Sequence, residues 1–141
     1  MPDNVFQRPP HLPLIAPSVL ASDFAKLGAE AADVEKAGAD LLHVDIMDGH
    51  FVPNLTMGPD IVMALARSSS LMQDVHLMVS NPAQFIDSFA KAGAGSMTFH
   101  IEVAPGQQAA DLIKRIHDLG CTAGVSLNPD TKYILGNQDA K

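Results

Sequence analysis

The sequence predicts an α/β fold built from parallel βαβ units. Three observations carry that expectation. Apolar runs of strand length alternate with segments whose apolar residues recur at helical spacing. The links between them are short, as when strands lie side by side in one direction and helices cross over. The punctuation repeats as well: KAGAD (36–40), KAGAG (91–95) and DLGCT (118–122) each turn a helix into a strand.

The elements follow in order. LIAPSVLA (14–21) reads as a first strand. Residues 23–37 read as a helix with Phe24, Leu27, Ala31 and Val34 on one face and Ser22 as N-cap; Gly38 stops it. DLLHVDIM (40–47) is the second strand. Pro59 opens a helix carrying Ile61, Val62 and Leu65. DVHLMV (74–79) is the third strand. Asn81 and Pro82 start a helix with the stripe Phe85, Ile86 and Phe89, ended by Gly93. SMTFHIEV (96–103) is the fourth strand. The helix at 107–119 aligns Ala109, Leu112, Ile113, Ile116 and Leu119, and CTAGVSLN (121–128) is the fifth strand. Such strands are covered on both faces, hence their apolar runs. An open doubly wound sheet and a (β/α)8 barrel both fit. No Gly-rich phosphate loop follows the first strand, where VLASDF stands, and this tilts the choice toward the barrel.

Composition narrows the function. The chain has 141 residues, enough for a domain with a real core, with 47% hydrophobic and 18% charged residues. A net charge of -7 argues against a general nucleic-acid or anionic-membrane partner, which demands a basic face. Backbone N–H groups can still hold a small phosphorylated ligand. The single cysteine, Cys121, allows no intrachain disulfide and fits a cytoplasmic setting. Residues 1–13 read as a flexible Pro-rich lead-in with no apolar core of signal-peptide length.

Within the strands, polar residues recur in phase. Side chains alternate across a strand, so His43, Asp45 and Met47 share one face, as do His76 and Met78, Thr98, His100 and Glu102, and Gly124, Ser126 and Asn128. They lie toward the C-terminal halves of their strands, the end that carries active sites in parallel α/β folds. Four strands in matching phase indicate a pocket. His43 and Asp45 stand two positions apart and can converge on one ion, with His76 as a third ligand. Two imidazoles and a carboxylate suit Zn²⁺, Fe²⁺, Mn²⁺ or Co²⁺. The residues fit hydrogen-bonded core polar groups as well, so these side chains alone leave the metal undecided. Ser18 is a ligand or turn-capping candidate. The ten-residue segment from Gly49 to Gly58, with His50, is long for a βα loop and fits a pocket cover or a simple surface loop.

Taken together, APSVLASDFAKLG (16–28), DLLHVDIMDGHFVPNLTMGP (40–59), DVHLMVSNP (74–82), FHIE (99–102) and GVSLNPDT (124–131) resemble the ribulose-phosphate 3-epimerase family. The resemblance implies a TIM (β/α)8 barrel and an isomerase that interconverts D-ribulose 5-phosphate and D-xylulose 5-phosphate. It also implies proton transfer at C3 through an enediolate, assisted by one divalent metal ion, in the pentose phosphate pathway. Carried over motif by motif, His43, Asp45 and His76 bind the metal and Asp45 is also an acid/base. Ser18 and His76 bind substrate, and Met47 and Met78 line the site.

The resemblance covers residues 14–131, and 132–141 read as a divergent C-terminal tail. The expectation is a C-terminally truncated member with about five βα units, an incomplete barrel. The family's second catalytic aspartate and its phosphate loops would lie in the part not matched, so full turnover by this chain alone is not expected. Open sheet edges imply marginal stability or association into a homo-oligomer. The expected partner is a phosphosugar, with no nucleic acid and no membrane. The competing reading is a non-catalytic metal- or sugar-binding remnant or subunit. A different phosphosugar barrel is disfavoured, because related decarboxylases and aldolases carry Asp-x-Lys where Asp45 is followed here by Met47.

Overall fold

The computed structural model describes residues 4–132. Four strands, β1 (Leu41–Met47), β2 (Met72–Met78), β3 (Ala94–His100) and β4 (Thr122–Ser126), form one sheet in that order. Every neighbouring pair is parallel. The crossovers carry α1 (Leu27–Lys36), α2 (Pro59–Ser68), α3 (Ile86–Ala92) and α4 (Gln107–Asp118). This is the alternation read from the sequence.

One face of the sheet is a dry core. Val44, Val75, Leu77, Met97 and Phe99 are fully buried and pack with Leu27, Val62, Leu65, Ile86, Phe89, Leu112 and Ile116 of the helices. Each such side chain contributes about 1.5–3 kcal/mol of burial free energy. The opposite face carries the polar set, and on β1 and β2 its residues alternate with buried ones. Gly93 and Gly120 stop α3 and α4 with φ of 114° and 81°, a region costly for residues with a Cβ.

Four expectations need correction. Residues 14–21 are not a strand. They run beside β1 through the N–H of His43 donating to Pro17 O (2.9 Å), the N–H of Asp40 donating to Ile15 O (2.9 Å) and a single bridge at Ser18. Pro17 has no N–H to extend a ladder, and Val19–Ala21 turn into a 3-10 helix. The described sheet therefore has four strands rather than five. Second, Ser22 does not cap the first helix. Its N–H closes the preceding turn on Val19 O, and Asp23 caps a 3-10 turn at Phe24–Lys26 that leads into α1, leaving Phe24 exposed. Third, Asn81 and Pro82 open a 3-10 turn at Pro82–Gln84, and α3 begins only at Ile86. Fourth, β3 ends at His100, and Ile101–Val103 form a 3-10 turn, so Glu102 is off the strand. Asn128 likewise lies beyond β4.

The lead-in is tethered. Asn4 Nδ2 donates to Gly95 O (3.0 Å) and to Thr122 Oγ1 (3.1 Å) at the starts of β3 and β4, and His11 Nε2 meets Asp40 Oδ1 at 2.9 Å. The segment 133–141, read as most of a divergent tail, lies outside the described residues.

Candidate functional site

Parallel register builds the site. Asp45 pairs with His76 and His43 with Asp74 across β1 and β2, and His76 pairs with Thr98 across β2 and β3. Since all these side chains point to the same face, residues far apart in sequence become neighbours.

His43 Nε2 lies 3.1 Å and His76 Nδ1 3.3 Å from the same oxygen, Asp45 Oδ1. One ligand atom from each of the three residues falls within 4.8 Å of the others. Ser18, brought alongside by the bridge to His43, donates its hydroxyl to Asp45 Oδ2 at 2.8 Å. Met47 and Met78 are half-buried, two residues past Asp45 and His76 and on the same faces of β1 and β2. The structure thus gathers His43, Asp45, His76 and Ser18 into direct contact.

Sequence reasoning missed Asp74. Its Oδ2 lies 2.9 Å from His43 Nδ1; a neutral His43 that donates Nδ1–H to it turns its Nε2 lone pair toward Asp45. The available signal was alternation: Asp74 stands two before His76 and shares its face. The carboxylate of Asp74 raises the His43 pKa above its ordinary value, against the lowering effect of burial and with support from the Asp45 charge. Burial lowers the His76 pKa, and neighbouring His100 lowers it further, which favours neutral imidazole. Without an ion the raised His43 pKa favours an Nε2–H donated to Asp45, and a bound cation would displace that proton and take the lone pair. The donor set therefore fits a divalent metal ion. Two imidazole nitrogens and a carboxylate form a common borderline-soft set, and Asp74 stands where a carboxylate orients a histidine at such sites.

The segment between β1 and α2 folds over the strand end. Asp48 Oδ1 accepts from the N–H groups of His50 and Phe51 (both 2.9 Å), and its Oδ2 accepts from Ser80 N–H (2.8 Å). Burial opposes ionisation of Asp48, but these donors together lower its pKa to about 2. Thr56 Oγ1 donates to Asp45 O (2.7 Å) and accepts from Met47 N–H (3.0 Å). Phe51 reaches the pocket, its ring 4.8 Å from that of His100. His50 instead stays exposed, turned back on the carbonyl of Asp48.

A sequence model described as the ribulose-phosphate 3 epimerase family matches residues 14–137, running past Thr131. A ribulose-phosphate 3-epimerase of Bacillus subtilis (strain 168) is 51% identical over 117 residues, covering 83% of this chain and 53% of the relative. One from Chlamydia trachomatis serovar D is 45% identical over 118 residues, covering 84% and 50%. A protein of Oryza sativa subsp. japonica, named the cytoplasmic isoform, is 51% identical over 117 residues, covering 83% and 51%. The chain spans about half the length of the curated relatives it matches. The fold of this isomerase family is the TIM (β/α)8 barrel, and four parallel strands backed by helices are an arc of one. No helix among the described residues is long and apolar enough to cross a membrane. By sequence, by fold and by the extent of the match, the chain belongs to the ribulose-phosphate 3-epimerase family.

Proposed function

We propose that these residues form the metal-binding half of an enzyme that interconverts D-ribulose 5-phosphate and D-xylulose 5-phosphate in the cytoplasm, as part of the pentose phosphate pathway. The observation that carries this is the convergence of His43 Nε2, Asp45 Oδ1 and His76 Nδ1 at the end of a parallel sheet, in a chain of this family. His43, Asp45 and His76 hold one divalent ion, with Zn²⁺, Fe²⁺, Mn²⁺ and Co²⁺ all compatible with two nitrogens and one oxygen. When bound, the ion supplies positive charge next to the negative charge that develops on the C2 and C3 oxygens. Asp45 takes the C3 proton on one face of the sugar, acting as general base. Ser18 holds Asp45 Oδ2 in place and offers its hydroxyl to substrate. His76 touches both ion and substrate. Met47 and Met78 keep the surroundings apolar, which strengthens charge interactions inside the site. Return of the proton to the opposite face requires a second acid.

Proton exchange tests the reading. The chain is incubated with ribulose 5-phosphate and each of the four ions in D2O, and deuterium at C3 and xylulose 5-phosphate are followed by NMR. Exchange at C3 that falls by a factor of about 10²–10⁴ in Asp45→Asn supports the assignment. Exchange that survives the substitution removes Asp45 from the chemistry. Metal binding without any exchange favours a non-catalytic binding subunit.

A further inference from the structure

His100 and Glu102 sit next to the site without a role in the chemistry above. His100 is the one buried histidine, 7% exposed. Its Nε2 lies 2.9 Å from His76 Nε2, and the two rings stack at 15° with centroids 5.0 Å apart. On the other side of the ring, His100 Nδ1 faces Glu102 Oε2 at 3.4 Å. Both of those atoms are buried, and neither makes a hydrogen bond. The other Glu102 oxygen accepts from Asn128 N–H (2.6 Å) and Thr131 Oγ1 (2.5 Å).

Two facing imidazole nitrogens share one proton, so one donates and one accepts. The geometry alone leaves two polarities, and Glu102 decides between them. A carboxylate beside His100 Nδ1 favours a proton on that nitrogen and opposes a lone pair there. His100 Nε2 is then the acceptor. His76 must donate from Nε2, and its own lone pair is left on Nδ1, the atom 3.3 Å from Asp45 Oδ1.

We propose that Glu102 and His100 are positioning residues that fix His76 as the Nε2–H tautomer, aiming its Nδ1 lone pair into the metal site. The proposal rests on the metal-ligand reading of His76 and deepens it. Asp74 sets His43 with a carboxylate directly; Glu102 sets His76 through an intervening imidazole. The relay also ties ligand orientation to the segment after β4, since Asn128 and Thr131 hold the carboxylate at its far end.

Two polar substitutions separate this role from simple filling of space. In His100→Gln the side chain can place an acceptor where Nε2 stood. In His100→Asn it reaches only the Nδ1 position and offers nothing to His76. The ¹⁵N shifts of His76 in the metal-free chain report its tautomer, and Co²⁺ titration followed by visible absorption reports affinity. The wild-type chain and His100→Gln are expected to keep the Nε2–H form, with Co²⁺ affinities within about threefold of each other. His100→Asn is expected to lose the single tautomer and bind Co²⁺ about 10- to 100-fold more weakly. Glu102→Gln, which leaves both rings in place, should give mixed tautomers and serves if His100→Asn does not fold. An Nδ1–H form of His76 in the wild-type chain overturns the proposal, as does an equal effect of Gln and Asn at position 100. The Nε2–H form in a chain that binds no Co²⁺ upholds the relay and overturns the metal reading instead.

Discussion

His43 and Asp74 are joined through the ring nitrogen that points away from Asp45, at 2.9 Å. When His43 is neutral, a proton on Nδ1 donates to Asp74 and leaves Nε2 turned to the site. Asp74→Ala should therefore weaken binding of a divalent ion by about 10- to 100-fold while leaving all three ligands in place. Competition against a chelating dye measures this. Unchanged affinity would show that another group sets the tautomer.

Removing a donor of the cluster is a different loss. His43→Ala and His76→Ala each leave two of the three donors and should reduce binding more than Asp74→Ala does. Calorimetric titration of the two variants against the parent chain checks the order. Affinity retained in both would exclude the cluster as a metal site.

Acid stability depends on Asp48 and Glu102. Both carboxyls are lowered to about 2, Asp48 by N–H groups that outweigh its burial and Glu102 by the Thr131 hydroxyl and then the Asn128 N–H. A depressed folded-state pKa contributes stability that is present above the unfolded value, about 4, and lost as pH falls toward 2. Asp48→Asn should lower Tm by a few degrees at neutral pH. The gap should close on acidification through pH 4 to 2. Melting curves across that range test it, and a gap that stays constant would mean the charge of Asp48 contributes nothing.

Gly124 on β4 approaches Thr98 on β3 closely. A Cβ at Gly124 would stand 2.3 Å from Thr98 Oγ1, 3.2 Å from its Cβ and 3.3 Å from its Cγ2. Gly124→Ala should destabilise by about 1–3 kcal/mol through overpacking, and Thr98→Ala in the same chain should recover much of that loss. A double-mutant cycle in urea reads the coupling. Simple additivity would place the clash elsewhere.

Phe89 anchors α3 against the sheet and is 1% exposed. Phe89→Ala should cost about 3–5 kcal/mol, a large share of the stability of a domain this size. A urea midpoint displaced by less than about 1 kcal/mol equivalent would mean that the helix repacks to fill the space.

The period of two made much of the site legible. His43, Asp45, His76 and His100 each interrupt an apolar run, and alternation places them on one face before any contact is known. Asp74 was harder to see, because an acid at the start of a strand looks like a solvent-facing terminus. Its role depends on a neighbouring strand's register, which periodicity does not encode. Ile101 and Val103 suit a strand by side-chain shape, so the sequence extends β3 through Glu102, yet the chain turns there. The opposite happened at 14–21, where apolar content suggests a strand and Pro17 limits pairing to single bonds. Helix stops were clearest, since Gly93 and Gly120 adopt the backbone angles for which glycine is suited.

Thr56 fastens the backbone on both sides of Ile46, donating to the carbonyl of Asp45 and accepting from the N–H of Met47. The carboxylate of Asp45 thus springs from a main chain clamped by a residue eleven positions later. Its aim is a property of a braced scaffold more than of its own rotamer. A change in the covering loop that shifts Thr56 therefore acts on Asp45 through the strand backbone.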